Sequence, residues 1–336
     1  MNKDTNPLQT FKIKTKHVLN ELAFRVGQGA KLLKTTQQHY TLLYHGVDLK
    51  GDTRFSRRFT SQRDFIQHLA FFKKHFRIIT LKEAFLQQGA PGDRPTLSVT
   101  FDDGYENNFT YALPVLQAAK VPASIFVTCM SLENYDYLWA DAVDICTHYY
   151  PQRSLVINGQ CFEKSDRGVF VDPATGASLY SILKCSPLEL RKQAMDTLEK
   201  AVPFRGIPSI QTYWKIMSRE QIILASQDPL ISIGSHGYWH SNLGDIPPEL
   251  AKKEILDSKN SLENLIQKEV SAIAYPDGSY TRNLVDDSAS IGFKEQVATS
   301  FLFKEDATDP RIKARLEIYS TSSTYNQILD AFRPKT

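Results

Sequence analysis

Apolar positions along the chain fall into short runs separated by stretches of helical spacing. The runs Tyr40–Val47, Arg77–Thr80, Leu97–Phe101, Ala123–Val127, Leu230–Gly234, Val270–Tyr275, Gln296–Thr299 and Leu316–Tyr319 predict strands. Between them, residues 61–75 place Phe65, Leu69 and Phe72 on one helical face. Further helices are predicted at 81–88, at 107–119 with a kink or break at Pro114, at Glu249–Gln267 and at Arg282–Ile291. Another spans Ser218–Ser226 and opens on a Ser-x-x-Gln capping pattern. Strands alternating with helices imply an α/β fold, a parallel sheet with helices outside. Seven or eight such strands suggest a barrel, closed or incomplete, with chemistry at the strands' C-terminal ends.

The alternation lapses over about 135–215. That stretch holds aromatic clusters, hairpin-like pieces at Ser154–Phe162 and Gly168–Val171, a Pro-Ala-Thr-Gly turn and a helix near 187–201. It reads as an insertion, the kind of excursion that often shapes a substrate cleft. No internal repeat or low-complexity segment is present.

Composition adds little to this picture. The 336 residues are 42% apolar and 23% charged, ordinary for a globular protein, and the net charge of +3 gives no ground for a nucleic-acid partner. The charge is unevenly placed, however. Residues 1–37 carry Lys3, Lys12, Lys14, Lys16, Arg25, Lys31 and Lys34 against only Asp4 and Glu21, so a basic N-terminal segment precedes the body at 38–336. Within 16–34, Val18, Leu19, Leu22, Val26, Leu32 and Leu33 lie partly at helical spacing between basic residues. Two readings stand: a helix packed on the body, or one lying on an anionic membrane surface. Gly27 and Gly29 weaken either helix. No leader-like apolar region or membrane-spanning run is evident. The expectation is a cytoplasmic protein, associated with the inner face of the membrane if the second reading holds. The four cysteines lack a CxxC pair, so free thiols are expected.

Candidate chemistry gathers at four strand ends: His45, Asp102-Asp103, His236 with His240, and Pro276-Asp277-Gly278. Adjacent strand side chains point to opposite faces, so Asp102 and Asp103 cannot both be ordinary solvent-face residues. Either they cap the next helix, or one holds a cation while the other moves a proton. His236 and His240, spaced i, i+4, can meet one metal, or one can pack in the core while the other is exposed. His45 can serve as an acid or be a buried structural histidine. The aromatic residues around the insertion, Trp139, Tyr213 and Trp214, can stack on sugars or simply pack.

Three motifs, Thr-Phe-Asp-Asp-Gly at 100–104, His-Gly-Tyr-Trp-His at 236–240 and Tyr-Pro-Asp-Gly at 275–278, resemble those of the polysaccharide deacetylase superfamily (NodB homology, carbohydrate esterase family 4). The resemblance covers roughly 40–128 and 216–320. It implies a distorted (β/α) barrel of about seven parallel strands, here with a mixed α+β insertion. It further implies that Asp102 is the general base and that Asp103, His236 and His240 bind a divalent metal. That metal would be Zn2+, with Co2+ or Ni2+ as substitutes. The early Tyr44-His45 pair resembles the exopolysaccharide, poly-N-acetylglucosamine branch. By that resemblance His45 is the general acid, since no late Leu-His motif exists. Tyr275, Asp277 and Trp139 are the expected substrate contacts.

The chain departs from the family pattern at Gly237, where many members have Ser or Thr, and at two points of the third motif. The arginine expected to orient the base is replaced by Ala274, leaving Arg282 or Arg315 to supply it, and the usual tyrosine is replaced by Asp277. A backbone donor at 277 for an oxyanion survives that change. The expected reaction is removal of an N-acetyl group from an acetamido sugar of a surface polysaccharide or a lipid-linked glycan precursor. Deformylation or another small-amide hydrolysis on the same site is the alternative, and a degenerate, non-catalytic carbohydrate-binding protein is another.

Overall fold

The computed structural model describes residues 7–33, 39–86, 94–320 and 323–332, with the side chains of 7–14 excepted. The main sheet is parallel and runs in the order Ile312–Ala314, Glu295–Ala298, Ala272–Ala274, Ile231–Ser235, Ala123–Val127, Thr96–Phe101, His39–Tyr44 and Leu316–Glu317. Arg77–Ile78 pairs alongside the start of Thr96–Phe101. The first and last strands of that order are consecutive pieces of one chain segment. Ile312–Ala314 pairs with Glu295–Ala298, and after Arg315 the chain pairs Leu316 and Glu317 with Leu42 and Leu43. The segment 312–317 therefore closes a barrel of seven strands, with Arg315 at the seam.

Both faces of most of these strands are buried, which is why they read as nearly continuous apolar runs. The predicted elements recur with small shifts. The run 40–47 divides into His39–Tyr44 and a short strand Gly46–Asp48, which pairs with Phe59–Ser61; His45 occupies the break. The helix Gln62–His75 buries Phe65, Leu69 and Phe72, and the Ser61 hydroxyl caps it. Pro114 sits in the first turn of a helix, Leu113–Ala119, that follows a π-helical turn at Asn108–Ala112. Ser218 and Gln221 form the expected capping box. The predicted helix at 81–88 is seen as Leu81–Leu86, and 87–88 lie outside the described residues. The segment Ile312–Ala314 and the helix Thr324–Ala331 were not expected.

Residues 128–216 leave the barrel and build a second core. Tyr137, Trp139, Leu155, Phe162, Phe170, Leu198, Phe204 and Trp214 pack there with Phe59 and Tyr105 of the body. The excursion comprises helices Trp139–Tyr149, Leu179–Lys184 and Leu188–Ala201, and an antiparallel sheet of Ser154–Ile157, Gln160–Lys164 and Phe170–Val171. The N-terminal helix Pro7–Arg25 docks through Asn20, which is bonded to Asn326, and through Phe24, stacked on Tyr325. The chain turns at Gly27, and a short 3-10 helix follows at Gly29–Leu32. No helix among the described residues is long and apolar enough to cross a membrane. The four cysteines are free.

Candidate active site

Strand register brings the candidate residues to one end of the barrel. Tyr44 lies opposite Phe101, and Val127 lies opposite Ser235. Next along these strands come His45, Asp102 and His236. Two backbone bonds fix the strand ends: Asp102 N–H donates to the Tyr44 carbonyl and His236 N–H to the Val127 carbonyl, each at 2.9 Å. The turn after Asp102 is left-handed at two successive residues, Asp103 (φ 70°) and Gly104 (φ 68°). Gly104 also lies so close to Val127 that a Cβ would stand 3.0 Å from its Cγ1. Glycine meets both demands there.

Asp103, His236 and His240 converge. Asp103 Oδ1 is 3.2 Å from His240 Nε2 and 3.4 Å from His236 Nε2, and all three side chains are buried. His236 Nδ1 donates to the Ala274 carbonyl at 2.8 Å, which leaves its Nε2 lone pair facing Asp103. One carboxylate oxygen and two imidazole nitrogens within one ion's reach form a donor set that fits a divalent metal. The local field favours positive charge. Burial pulls the His236 imidazole down, but Asp102 and Asp103 more than offset this, and its pKa is raised. Burial pushes the Asp103 carboxyl up, yet hydrogen bonds from His236 and His240 hold it well below the usual range.

Asp102 stands beside this cluster, its Oδ2 3.9 Å from His236 Nε2. The Arg315 guanidinium grips both of its oxygens, NH1 to Oδ1 at 2.7 Å and NH2 to Oδ2 at 2.6 Å. Burial raises the Asp102 carboxyl, but Arg315 and then His236 outweigh it, and the group sits below the ordinary value. Arg315, one of the two arginines considered, thus faces Asp102. Arg282 pairs instead with Asp306 and Asp309.

Asp102, Asp103, His236 and His240 line a cavity of about 350 Å³ together with His45, Arg58, Asp144, Tyr180, Asp277, Thr299, Glu317 and Tyr319. Burial lowers the His45 imidazole, opposed by Asp103 and Asp102. Asp277 is left-handed (φ 53°) and pairs with Lys184 of the excursion at 3.2 Å. A larger cavity of about 700 Å³ lies behind the loop that carries His236 and His240, between the excursion and the helix Pro248–Ile266.

A family model described as polysaccharide deacetylase matches residues 89–152 and 196–295. The chain belongs to the polysaccharide deacetylase family. Among curated proteins, YxkH of Bacillus subtilis (strain 168), named for the same family, is 21% identical over 262 residues. That alignment takes in 77% of this chain but only 63% of YxkH. The deacetylase PplD of Streptococcus pyogenes, solved with acetate, aligns at a TM-score of 0.54 and 16% identity over 88% of this chain and 98% of its own. IcaB from Ammonifex degensii aligns at 0.53 and 18% identity over 88% and 97% of the two chains. At these identities the solved structures establish a shared fold, a deacetylase-type barrel.

Within this deacetylase barrel, two expected substrate contacts lie away from the cavity. Trp139 is 1% exposed in the second core, and its Nε1 donates to the His240 carbonyl at 3.4 Å. Its ring packs against Tyr180 and offers no open face to a sugar. Tyr275 is fully buried, its hydroxyl bonded to Ser288 and Gln296. Both aromatics were placed at the substrate from their sequence position, and burial has taken them into the cores. Sequence reading missed Arg58, which donates to Asp103 Oδ2 at 3.1 Å and to Asp141 at 2.8 Å. Asp141 lies two residues after Trp139, and its acidity was the only signal available.

Proposed function

We propose that this chain removes an N-acetyl group from an acetamido sugar of a surface polysaccharide or a lipid-linked glycan precursor, using a bound divalent metal, with zinc the first choice. The observation that carries the proposal is the pairing of two differently supported carboxylates. Asp103 faces two imidazoles, while Asp102, one residue earlier, faces an arginine and the cavity.

Asp103, His236 and His240 would hold a divalent ion, which would supply Lewis acidity to polarise the acetyl carbonyl and lower the pKa of water. Asp102 accepts the proton of the water that attacks the acetyl carbon. Arg315 keeps both Asp102 oxygens in place and its carboxyl ionised, so the group is ready as a base at neutral pH. His45, at the neighbouring strand end and lining the same cavity, then gives a proton to the leaving sugar amine, a role worth about 10²–10⁴ in rate. Asp277, on the rim with Lys184, contacts substrate hydroxyls.

Residues 1–37 serve as a membrane-facing segment on the 38–336 body. The helix Pro7–Arg25 turns Asn20 and Phe24 inward, while Val18 and Leu22 are 59% and 51% exposed on the opposite side. Arg25 is exposed beside that apolar stripe, a pairing suited to anionic lipid. Such a placement suits a lipid-linked substrate at the inner face of a membrane.

The deciding experiment measures acetate release from lipid-linked and polymeric acetamido sugars, with Asp102→Asn as the control. Release abolished in Asp102→Asn supports the mechanism, and release unaffected by that change overturns it. Sedimentation with anionic vesicles tests the N-terminal segment. Undiminished binding by a chain lacking residues 1–34 removes the membrane role.

A further inference from the structure

Two of the three converging ligand residues hold backbone conformations that non-glycine residues rarely adopt: Asp103 at φ 70° and His240 at φ 52°. Such conformations persist only where surrounding structure over-determines them. At both residues part of that surrounding structure is the excursion 128–216.

On one side, Asp103 Oδ1 faces the imidazoles and Oδ2 accepts from Arg58 NH1 at 3.1 Å. The other arm of Arg58 donates to Asp141 Oδ1 at 2.8 Å, and the Tyr105 hydroxyl lies 3.0 Å from both Asp141 oxygens. Asp141 belongs to the excursion's helix Trp139–Tyr149. Arg58 itself lies in the loop between Gly46–Asp48 and Phe59–Ser61, so its direction depends on the excursion's carboxylate.

On the other side, Arg191 of the helix Leu188–Ala201 is 3% exposed. Its NH1 reaches the His240 carbonyl at 3.4 Å and its NH2 the Ser241 hydroxyl at 2.6 Å. Trp139 Nε1 points to the same His240 carbonyl. From the barrel side, Glu254 receives Trp239 N–H at 3.0 Å and Ser241 N–H at 3.3 Å. The peptide units around His240 are therefore gripped from the excursion and the barrel together. A buried arginine spent on a backbone carbonyl and a hydroxyl, with no carboxylate among the described residues in direct contact, is a costly way to fill a core. It is well suited to fixing a carbonyl.

We propose that the excursion is part of the metal site: Asp141, acting through Arg58, and Arg191 are positioning residues that preset Asp103 and His240 for the ion. This rests on the reading of Asp103, His236 and His240 as metal ligands. Groups that orient ligands in this way typically change metal affinity by about 10–100-fold when removed.

The test uses the full chain and zinc alone, with affinity read by competition against a chromogenic chelator below the melting temperature. Arg58→Met and Arg191→Met should weaken zinc binding by about 10–100-fold. Lys200→Met, at the exposed end of the same helix as Arg191, should bind as the wild type does. Arg191→Lys, which keeps a donor, should recover part of the loss. Should Arg58→Met fail to fold, Asp141→Asn decides, because it keeps the shape and weakens the hold on Arg58. A purely structural role would lower the melting temperature of the metal-free protein and leave zinc affinity in the folded protein unchanged. Folded variants that bind zinc as tightly as wild type overturn the proposal while leaving the metal reading intact. A wild-type chain that binds no zinc overturns both.

Discussion

Replacing Arg315 by methionine strands a buried carboxylate. In the folded chain, Arg315 and Asp102 are each 2% exposed and share two hydrogen bonds of 2.7 and 2.6 Å. Methionine fills much of the same volume but offers no donor. Its other lost contacts are minor, because Thr100 Oγ1 still donates to the Leu42 carbonyl at 2.7 Å. Removing one partner of a buried ion pair costs about 3–5 kcal/mol, against a total stability of about 5–15 kcal/mol for a folded domain. The variant should therefore fold but melt well below the wild type.

The sign with pH follows from Asp102. Its carboxyl is depressed in the native state, so the pair's contribution is full above the unfolded pKa of about 3.9 and is lost as pH falls through the folded value. In Arg315→Met burial acts without the arginine, so the carboxyl rises and protonates earlier. The stability gap between wild type and variant should be widest near neutral pH and should narrow on acidification. Urea melts at about pH 7 and about pH 4.5 measure both quantities. The double variant Arg315→Met/Asp102→Asn should regain most of the loss, since no charge is left stranded. A single-variant loss below about 1 kcal/mol, or a double variant no more stable than the single, refutes the reasoning.

Chelator dialysis should abolish acetate release and zinc should restore it; release that survives dialysis argues against the metal. His68 is fully buried, within 3.1 Å of the Tyr44 hydroxyl and 3.0 Å of the Thr324 carbonyl, and burial lowers its pKa to about 4. Its neutral form stabilises the fold above the unfolded pKa of about 6.5, and that contribution is lost as pH falls toward the folded value, by up to about 1.4 kcal/mol per pH unit. Urea melts across this range should show the slope in wild type and a shallower one in His68→Gln. Gly104→Ala should cost about 1 kcal/mol or more, because φ is 68° and the added methyl meets Val127. A thermal melt showing no loss would mean that the turn tolerates a side chain.

The parts of the site that were legible in sequence are those a strand carries at its end. Strands buried on both faces leave apolar runs, and the polar residues after Phe101 and Ser235 mark where those runs stop. The i, i+4 spacing of His236 and His240 also needs no tertiary knowledge. Arg58, Asp141 and Arg191 had no such signal. Each is a single polar residue in a loop or helix, and its partner lies 45 or more residues away. Trp139 and Tyr275 mislead for a related reason: an aromatic beside a motif can face substrate or core, and only packing decides.

The arginine question shows why tertiary closure matters for function. Ala274 is fully buried and serves the site only through its carbonyl, which orients His236. The cation comes instead from Arg315, in the segment that pairs with Glu295–Ala298 on one side and His39–Tyr44 on the other. Nothing local in 312–317 indicates that it touches Asp102, 213 positions earlier. Only the pairing of Leu42 with Leu316 brings it there. Closing the barrel and fixing the proposed base are thus one structural event. A substitution that loosens the Leu316 seam should lower turnover through Asp102 even though it lies outside the cavity.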